Sequence, residues 1–171
     1  MATQAHREQF QRWMQNHLGL VLKVVRTSVE SPHDQEDLFQ DVLLNLWLSL
    51  PNFRRDAKES TWIYRVAINT ALVWHRGERR RRHRHAMLVE QSAFLHQSSS
   101  CTEPIHAALV DRMYAVIRQL PPVDASLALM HLDGLSYREM AEVLGITENY
   151  VGVKLNRIRK QLAEMLAPSN E

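Results

Sequence analysis

The stretch Leu135-Ser136-Tyr137-Arg138-Glu139-Met140-Ala141-Glu142-Val143-Leu144-Gly145-Ile146 constrains the fold most, because both ends of a short helix are written into it. Ser136 followed by Glu139 is a capping box, in which hydroxyl and carboxylate satisfy backbone donors reciprocally. Gly145 stands where a helix C-terminus needs a left-handed residue. Met140, Ala141, Val143 and Leu144 supply the apolar side. Ile146 can then plug a core, and Thr147 caps a second helix with Glu148 in its first turn. There Val151, Leu155, Ile158 and Leu162 recur at i, i+4, i+7 and i+11, the buried stripe of a helix. Lys154, Arg157 and Lys160 project elsewhere, with Arg159 nearby. A short helix, a tight glycine turn and a basic second helix are what major-groove docking requires. Ser136–Lys160 therefore reads as a helix-turn-helix on duplex DNA. A plain helical hairpin with solvated lysines is the competing reading.

The rest of the chain is also patterned for helices. Phe10, Met14, His17/Leu18, Val21 and Val24/Val25 recur at helical spacing up to a break at Ser31-Pro32. Ser31 can cap the next helix, Pro32 fits its first position, and Asp34 and Glu36 complement its dipole. That helix buries Leu38, Phe39, Val42, Leu43, Leu46, Trp47 and Leu50 and shows Asp34, Asp37, Gln40, Asp41 and Asn45 on its other face; Pro51 ends it. After a polar loop to Ser60, a third helix is predicted over Thr61–Arg76. Trp62, Ile63, Val66, Ala67 and Val73 face its core, and Arg65, Asn69, Leu72 and Arg76 form a second stripe. Residues 86–105 lose periodicity, contain Gln97-Ser98-Ser99-Ser100 and read as a flexible linker able to reach about 66–72 Å when extended. Beyond it, Leu109, Met113, Val116, Ile117 and Leu120 form an apolar stripe stopped by Pro121-Pro122. A helix over Asp124–Leu132 and a turn at Asp133-Gly134 follow. The fold class is all-α: two helical domains, 1–85 and 106–168, joined by 86–105.

Charge and composition narrow the partners. Net charge is only +2 over 171 residues, yet Arg65–His85 holds seven arginines against the single acid Glu78. A concentrated basic segment on an otherwise acidic chain is the footprint of a nucleic-acid surface, or else a solvated charge run. Five glycines and six prolines argue against a turn-rich all-β fold, and one cysteine cannot form an internal disulfide. No stretch approaches the roughly 20 apolar residues that span a bilayer, and Met1–Phe10 lacks the apolar core of a signal peptide. These features predict a cytoplasmic, soluble protein with no membrane insertion.

Three blocks carry a resemblance. Asp37-Leu38-Phe39-Gln40-Asp41-Val42, then Ser60-Thr61-Trp62-Ile63-Tyr64-Arg65-Val66-Ala67-Ile68-Asn69-Thr70-Ala71, then Leu135–Ile146 resemble bacterial sigma factors of the extracytoplasmic-function group, in that order and with a linker between the second and third. The helix-turn-helix alone has little specificity; its combination with the tryptophan-bearing block has much. The resemblance implies a factor that recruits core RNA polymerase to promoters and opens the −10 region. It implies that Asp37, Gln40, Asp41 and Asn45 dock on the beta-prime clamp helices, with the beta flap as a further contact. It implies −10 recognition by Phe53, Arg54, Arg55, Ser60, Thr61, Trp62, Arg65, Asn69 and Arg76. Splayed bases need stacking surfaces and cations along the backbone; the spacing of Trp62 with Val66 and Val73 suits a core role equally. Arg79, Arg80, Arg81 and Arg82 would contact upstream phosphates, which adds affinity without sequence information. Arg138, Glu148, Asn149, Tyr150, Lys154, Asn156, Arg157 and Lys160 would serve the −35 element. Gly152 and Val153 stand where relatives place polar or basic residues, leaving more to shape and phosphate contacts. The family's activity is commonly restrained by an anti-sigma protein. No metal or other cofactor is implied, and no catalytic residue.

Two other classes remain open at this point. A helix-turn-helix regulator that is not a polymerase subunit would need neither the acidic face nor the aromatic, basic block. A metal-dependent nuclease would need Asp34, Glu36, Asp37 and Asp41 to converge on a cation, whereas the early acids already serve the helix dipole. His96, Cys101 and His106 are spaced poorly for one helical face, and the His83-Arg84-His85 run reads as basic surface.

Overall fold

The structure, a computed structural model, describes residues 4–53, 58–86 and 104–166, with the backbone alone at 78–86 and 104–107. Among the described residues the regular structure is helical: α1 (Gln4–Ser28), α2 (Pro32–Ser49), a 3-10 turn (Leu50–Asn52), α3 (Glu59–Ala86), α4 (Pro104–Arg118), α5 (Pro122–Leu132), α6 (Tyr137–Leu144) and α7 (Glu148–Leu166).

The N-terminal helices α1, α2 and α3 pack on one another through their apolar stripes. Ser31 caps α2 by accepting from the Asp34 amide, with Pro32 in the first turn, as local chemistry demands. Leu38, Val42 and Leu46 of α2 are fully buried against Trp13, Val21, Val24 and Val25 of α1 and Ile63, Ala67, Ile68 and Ala71 of α3 in one core cluster. Complete burial of each large side chain stabilises the fold by about 1.5–3 kcal/mol. Trp13, outside the expected stripe, heads an aromatic row. Its ring centroid lies 5.2 Å from that of Phe53, which lies 5.7 Å from Trp62.

Three expected core positions face out instead. Val73 of α3 is 61% exposed and Leu109 of α4 is 67% exposed, with Met113 also on the surface. Their helices carry wider apolar arcs than their neighbours cover: of the longer stripe expected on α4, Ile117 and, just beyond the helix end, Leu120 are buried. α3 also runs past Arg76 to Ala86, so the basic run continues the helix rather than following it.

The C-terminal helices build a second core from Leu127, Met130, Met140, Val143, Val151, Leu155 and Ile158. It joins the first. Helix α1 packs on α4 and α5, and α3 packs on α5 and α6, so the two domains are in direct contact.

Candidate nucleic-acid interface

The helix-turn-helix forms as its local chemistry requires. The Ser136 hydroxyl accepts from the Glu139 amide at 3.2 Å, and the Glu139 carboxylate accepts from the Ser136 amide at 2.8 Å. Gly145 ends α6 with φ +68, in the left-handed region. Thr147 Oγ1 accepts from the Tyr150 amide at 3.3 Å and starts α7. Val151, Leu155 and Ile158 are buried, so α7 presents Glu148, Asn149, Tyr150, Asn156, Arg157 and Lys160 to solvent.

Lys154 stands apart from that face. Its Nζ donates to both carboxylate oxygens of Asp124 on α5, at 2.9 and 3.2 Å, and the Asp124 side chain is only 9% exposed. A charge pair so far out of water holds α7 to α5. The Lys154 ammonium also lies 5.9 Å from the Tyr150 ring centroid. Arg138 is exposed on α6 and donates to Glu142 at 3.3 Å. Gly152 and Val153 diverge in environment. A Cβ on Gly152 would meet the Tyr137 ring at 3.5 Å, ordinary contact, whereas Val153 is exposed beside the polar positions.

On α2, Asp37, Gln40, Asp41 and Asn45 are all exposed. Asn45 Nδ2 donates to Thr70 Oγ1 on α3 at 3.2 Å. Leu44 and Leu48, 56% and 62% exposed, extend the same surface. Their spacing from Asp37, at i+7 and i+11, and from Asp41, at i+3 and i+7, was the signal for them. Asp34, Glu36, Asp37 and Asp41 do not form a cation-holding group, and among the described residues no cluster of His, Cys, Asp and Glu does.

The residues expected at the −10 element are dispersed in environment. Thr61 is buried, Ser60, Phe53, Trp62 and Arg65 are half-buried, and Asn69 and Arg76 are exposed. Phe53 and Trp62 pack against the core in the aromatic row. Arg76 Nε donates to its own helix, at the Leu72 carbonyl, at 3.2 Å. Arg54 and Arg55 lie outside the described residues, as do the side chains of Arg79, Arg80, Arg81, Arg82 and His106, and His96 and Cys101 entirely.

Arg65 does not face solvent freely. Its guanidinium donates to the Glu142 carbonyl on α6 at 2.7 Å, and its Nε is buried with no hydrogen-bond partner among the described residues. Lys58, just before α3, donates to the Glu139 carboxylate at 2.7 Å. Hydrogen bonds from Lys58 and from the backbone and hydroxyl of Ser136 hold that carboxyl at about 2, far below its usual 4.5; the Lys58 ammonium is raised in turn by the same bond. Asp133, in the turn before α6, accepts from Lys23 of α1 at 2.5 Å and from the Tyr64 hydroxyl of α3. Burial, followed by that hydrogen bond, pushes the Tyr64 phenol well above its ordinary range, so it remains a donor. Arg118 of α4 donates to the Arg26 carbonyl at 2.9 Å. Sequence reasoning missed Lys58, Tyr64 and Asp133, since each acquires meaning only from a partner in the other domain.

This pair of helical domains has relatives. The family model for Sigma-70 region 2 matches residues 13–81, and that for Sigma-70 region 4 matches residues 111–162. The RNA polymerase sigma-H factor of Pseudomonas aeruginosa is 30% identical over 159 residues, covering 88% of this chain and 80% of the relative. The ECF RNA polymerase sigma-E factor of Haemophilus influenzae is 24% identical over 165 residues, covering 92% and 85%. The fold matches that of the sigma factor RpoE solved with the anti-sigma factor NepR from Bartonella quintana, with a TM-score of 0.73, 17% identity, and coverage of 95% of this chain and 99% of that one. It also matches CnrH, solved with the cytosolic domain of CnrY, with a TM-score of 0.68, 18% identity, and coverage of 96% and 91%. The chain belongs to the sigma-70 family of RNA polymerase sigma factors, in its extracytoplasmic-function group. Members of that family are non-catalytic initiation factors. Among the described residues no helix is long and apolar enough to cross a membrane.

Proposed function

We propose that this chain is an alternative sigma factor that grips a promoter at two points while bound to core RNA polymerase. The observation that carries the reading is one chain offering both an outward polar and basic α7 in a capped helix-turn-helix and an outward acidic α2. The division of labour follows the domains: 1–85 for polymerase and the −10 element, 106–168 for the −35 element, with 86–105 between them.

Each role rests on stated chemistry. Arg157 and Lys160 can pair with phosphates or guanine edges in the major groove, and Asn149, Asn156 and Tyr150 can hydrogen-bond there. Lys154 has a smaller share because Asp124 already neutralises it. On α3, Arg65, Asn69 and Arg76 offer donors to a melted strand, and Arg79–Arg82 offer phosphate contacts whose worth falls with salt. Phe53 and Trp62 support that surface from the core side. The acidic α2 face, extended by Leu44 and Leu48, suits a polymerase surface with cations around an apolar centre. Work on promoter DNA with polymerase is cytoplasmic work, and the likeness to the sigma factor RpoE solved with the anti-sigma factor NepR supports an anti-sigma partner. The reading needs no metal, no cofactor and no catalytic residue.

Transcription with core polymerase on a randomised promoter library tests it. Two enriched boxes at a fixed separation are expected. No enrichment overturns the reading, and binding of a single DNA box without polymerase would make the chain an ordinary helix-turn-helix regulator.

A further inference from the structure

We propose that Val153 of α7 is a base-reading residue, which selects a thymine in the −35 element through the C5-methyl group of that base. This rests on the reading of α7 as the −35 helix above and names the kind of base that the centre of its outer face takes.

Helical geometry sets the position. Residues three and four apart are neighbours on a helix surface. Val153 therefore has Asn149 and Tyr150 on one side and Asn156 and Arg157 on the other, and all five are exposed. Val151, Leu155 and Ile158 are buried, so Val153 lies on the ridge of α7 that points away from the core. It also falls in the N-terminal half of the helix, the part that reaches base edges when such a motif docks in the major groove.

The fold gains nothing from a valine there. A β-branched side chain is a poorer helix former than a straight one, and 48% of Val153 remains exposed. Nor is it an isolated apolar residue. Tyr150 is equally open, and the half-exposed Tyr137 ring of α6 lies over Gly152. The same stretch lacks a free cation. Gly152 has no side chain, and the Lys154 ammonium is drawn to both carboxylate oxygens of Asp124. The cations of the outer face, Arg157 and Lys160, follow only in the next turns. The middle of the reading surface is thus a pair of valine methyls with hydrogen-bonding groups around them.

The major groove offers one base to such a centre. Guanine presents N7 and O6 there, adenine N7 and its amino group, and cytosine its amino group; thymine alone adds a methyl. Pressing Val153 on a polar edge would take donors or acceptors out of water without a partner. Pressing it on the thymine methyl removes apolar surface from both sides. Asn149, Asn156 and Arg157, which suit adenine and guanine edges, then read the neighbouring base pairs.

The test uses holoenzyme on a promoter carrying the selected −35 and −10 boxes. Each thymine of the −35 box is replaced in turn by deoxyuridine, which deletes only the methyl group and keeps base pairing. The promoter concentration giving half-maximal transcription is read. One replacement should raise that concentration about fourfold, the factor for one apolar carbon returned to water, and the others should leave it unchanged. Val153→Ala should bind the thymine promoter about as weakly as the unsubstituted protein binds the sensitive deoxyuridine promoter, and should not distinguish the two. Val153→Ile should keep the discrimination. Circular dichroism and the thermal midpoint of Val153→Ala should match the unsubstituted protein, because the side chain supports no core. A selected −35 box without thymine overturns the proposal. So does indifference to deoxyuridine at every position, or a deoxyuridine penalty that Val153→Ala retains. Transcription that survives deletion of the whole −35 box would instead overturn the reading of α7 as the −35 helix.

Discussion

The two helical domains of the molecule use their cations in opposite ways. On α7, Arg157 and Lys160 stand in solvent, and the one lysine drawn inward, Lys154, serves the domain's own packing through Asp124. On α3 and the residue before it, Arg65 and Lys58 are bound to the other domain. The outward face of α7 is open to solvent, whereas Lys58 and Arg65 are tied to groups of α6. The same residue types therefore carry different energies. A pair taken out of water, such as Lys154–Asp124, is costly to break because it strands a charge. A pair at the surface, such as Lys58–Glu139, is screened by water and salt and contributes little.

That contrast can be broken at its strongest point first. Asp124→Ala leaves the Lys154 ammonium without its carboxylate in a half-buried site and should destabilise the protein by about 2–3 kcal/mol, read from denaturant midpoints. Lys58→Ala should move the midpoint far less in the same measurement, because water and salt screen its pair. Equal losses would mean that the two pairs do not differ as their burial says.

Arg157→Ala should lower affinity for duplex carrying the −35 box by about tenfold, or about 1.4 kcal/mol, in the free chain as in the holoenzyme. Arg65→Ala should leave that duplex affinity unaltered and reduce melting of the −10 region by the holoenzyme. Fluorescence anisotropy and permanganate reactivity of unpaired thymines read the two separately.

The helix-turn-helix was legible from sequence because its signals are local. Ser136, Glu139 and Gly145 specify their own conformations within ten residues, and each does in the structure what its chemistry allows. The α2 cap at Ser31-Pro32 was legible for the same reason. Burial was less legible where it depends on a distant neighbour. Val73, Leu109 and Met113 share the spacing of core residues but stand on the surface, while Trp13 finds Phe53 across the N-terminal domain. The inward turn of Lys154 depends on an aspartate 30 residues away. The α3–α6 seam could not be read at all, since Lys58, Tyr64 and Asp133 look like ordinary surface residues until the two domains meet.

Gly152 offers a smaller test of the same local logic. A methyl there reaches the Tyr137 ring at ordinary contact distance, and a helical glycine costs about 0.5–1 kcal/mol relative to alanine. Gly152→Ala should raise stability by about that amount in thermal unfolding; a loss would show that Tyr137 cannot accommodate the added carbon.

The smallest effect concerns acid. The Glu139 carboxyl is depressed to about 2, so its contribution to the folded state is complete above about pH 4.5 and is lost as pH falls toward 2. Lys58→Ala removes the largest cause of that depression. A carbon NMR titration of the Glu139 carboxyl should then show its midpoint moving upward while the Ser136 bonds keep it below 4.5. An unmoved midpoint would remove Lys58 from the seam.

The most direct measurement of the two-point grip is promoter activity as the distance between the two selected boxes is varied one base pair at a time. Two domains held on one polymerase predict a single optimum, with transcription falling on either side of it. Activity indifferent to the spacing, or retained with either box deleted, would contradict the account.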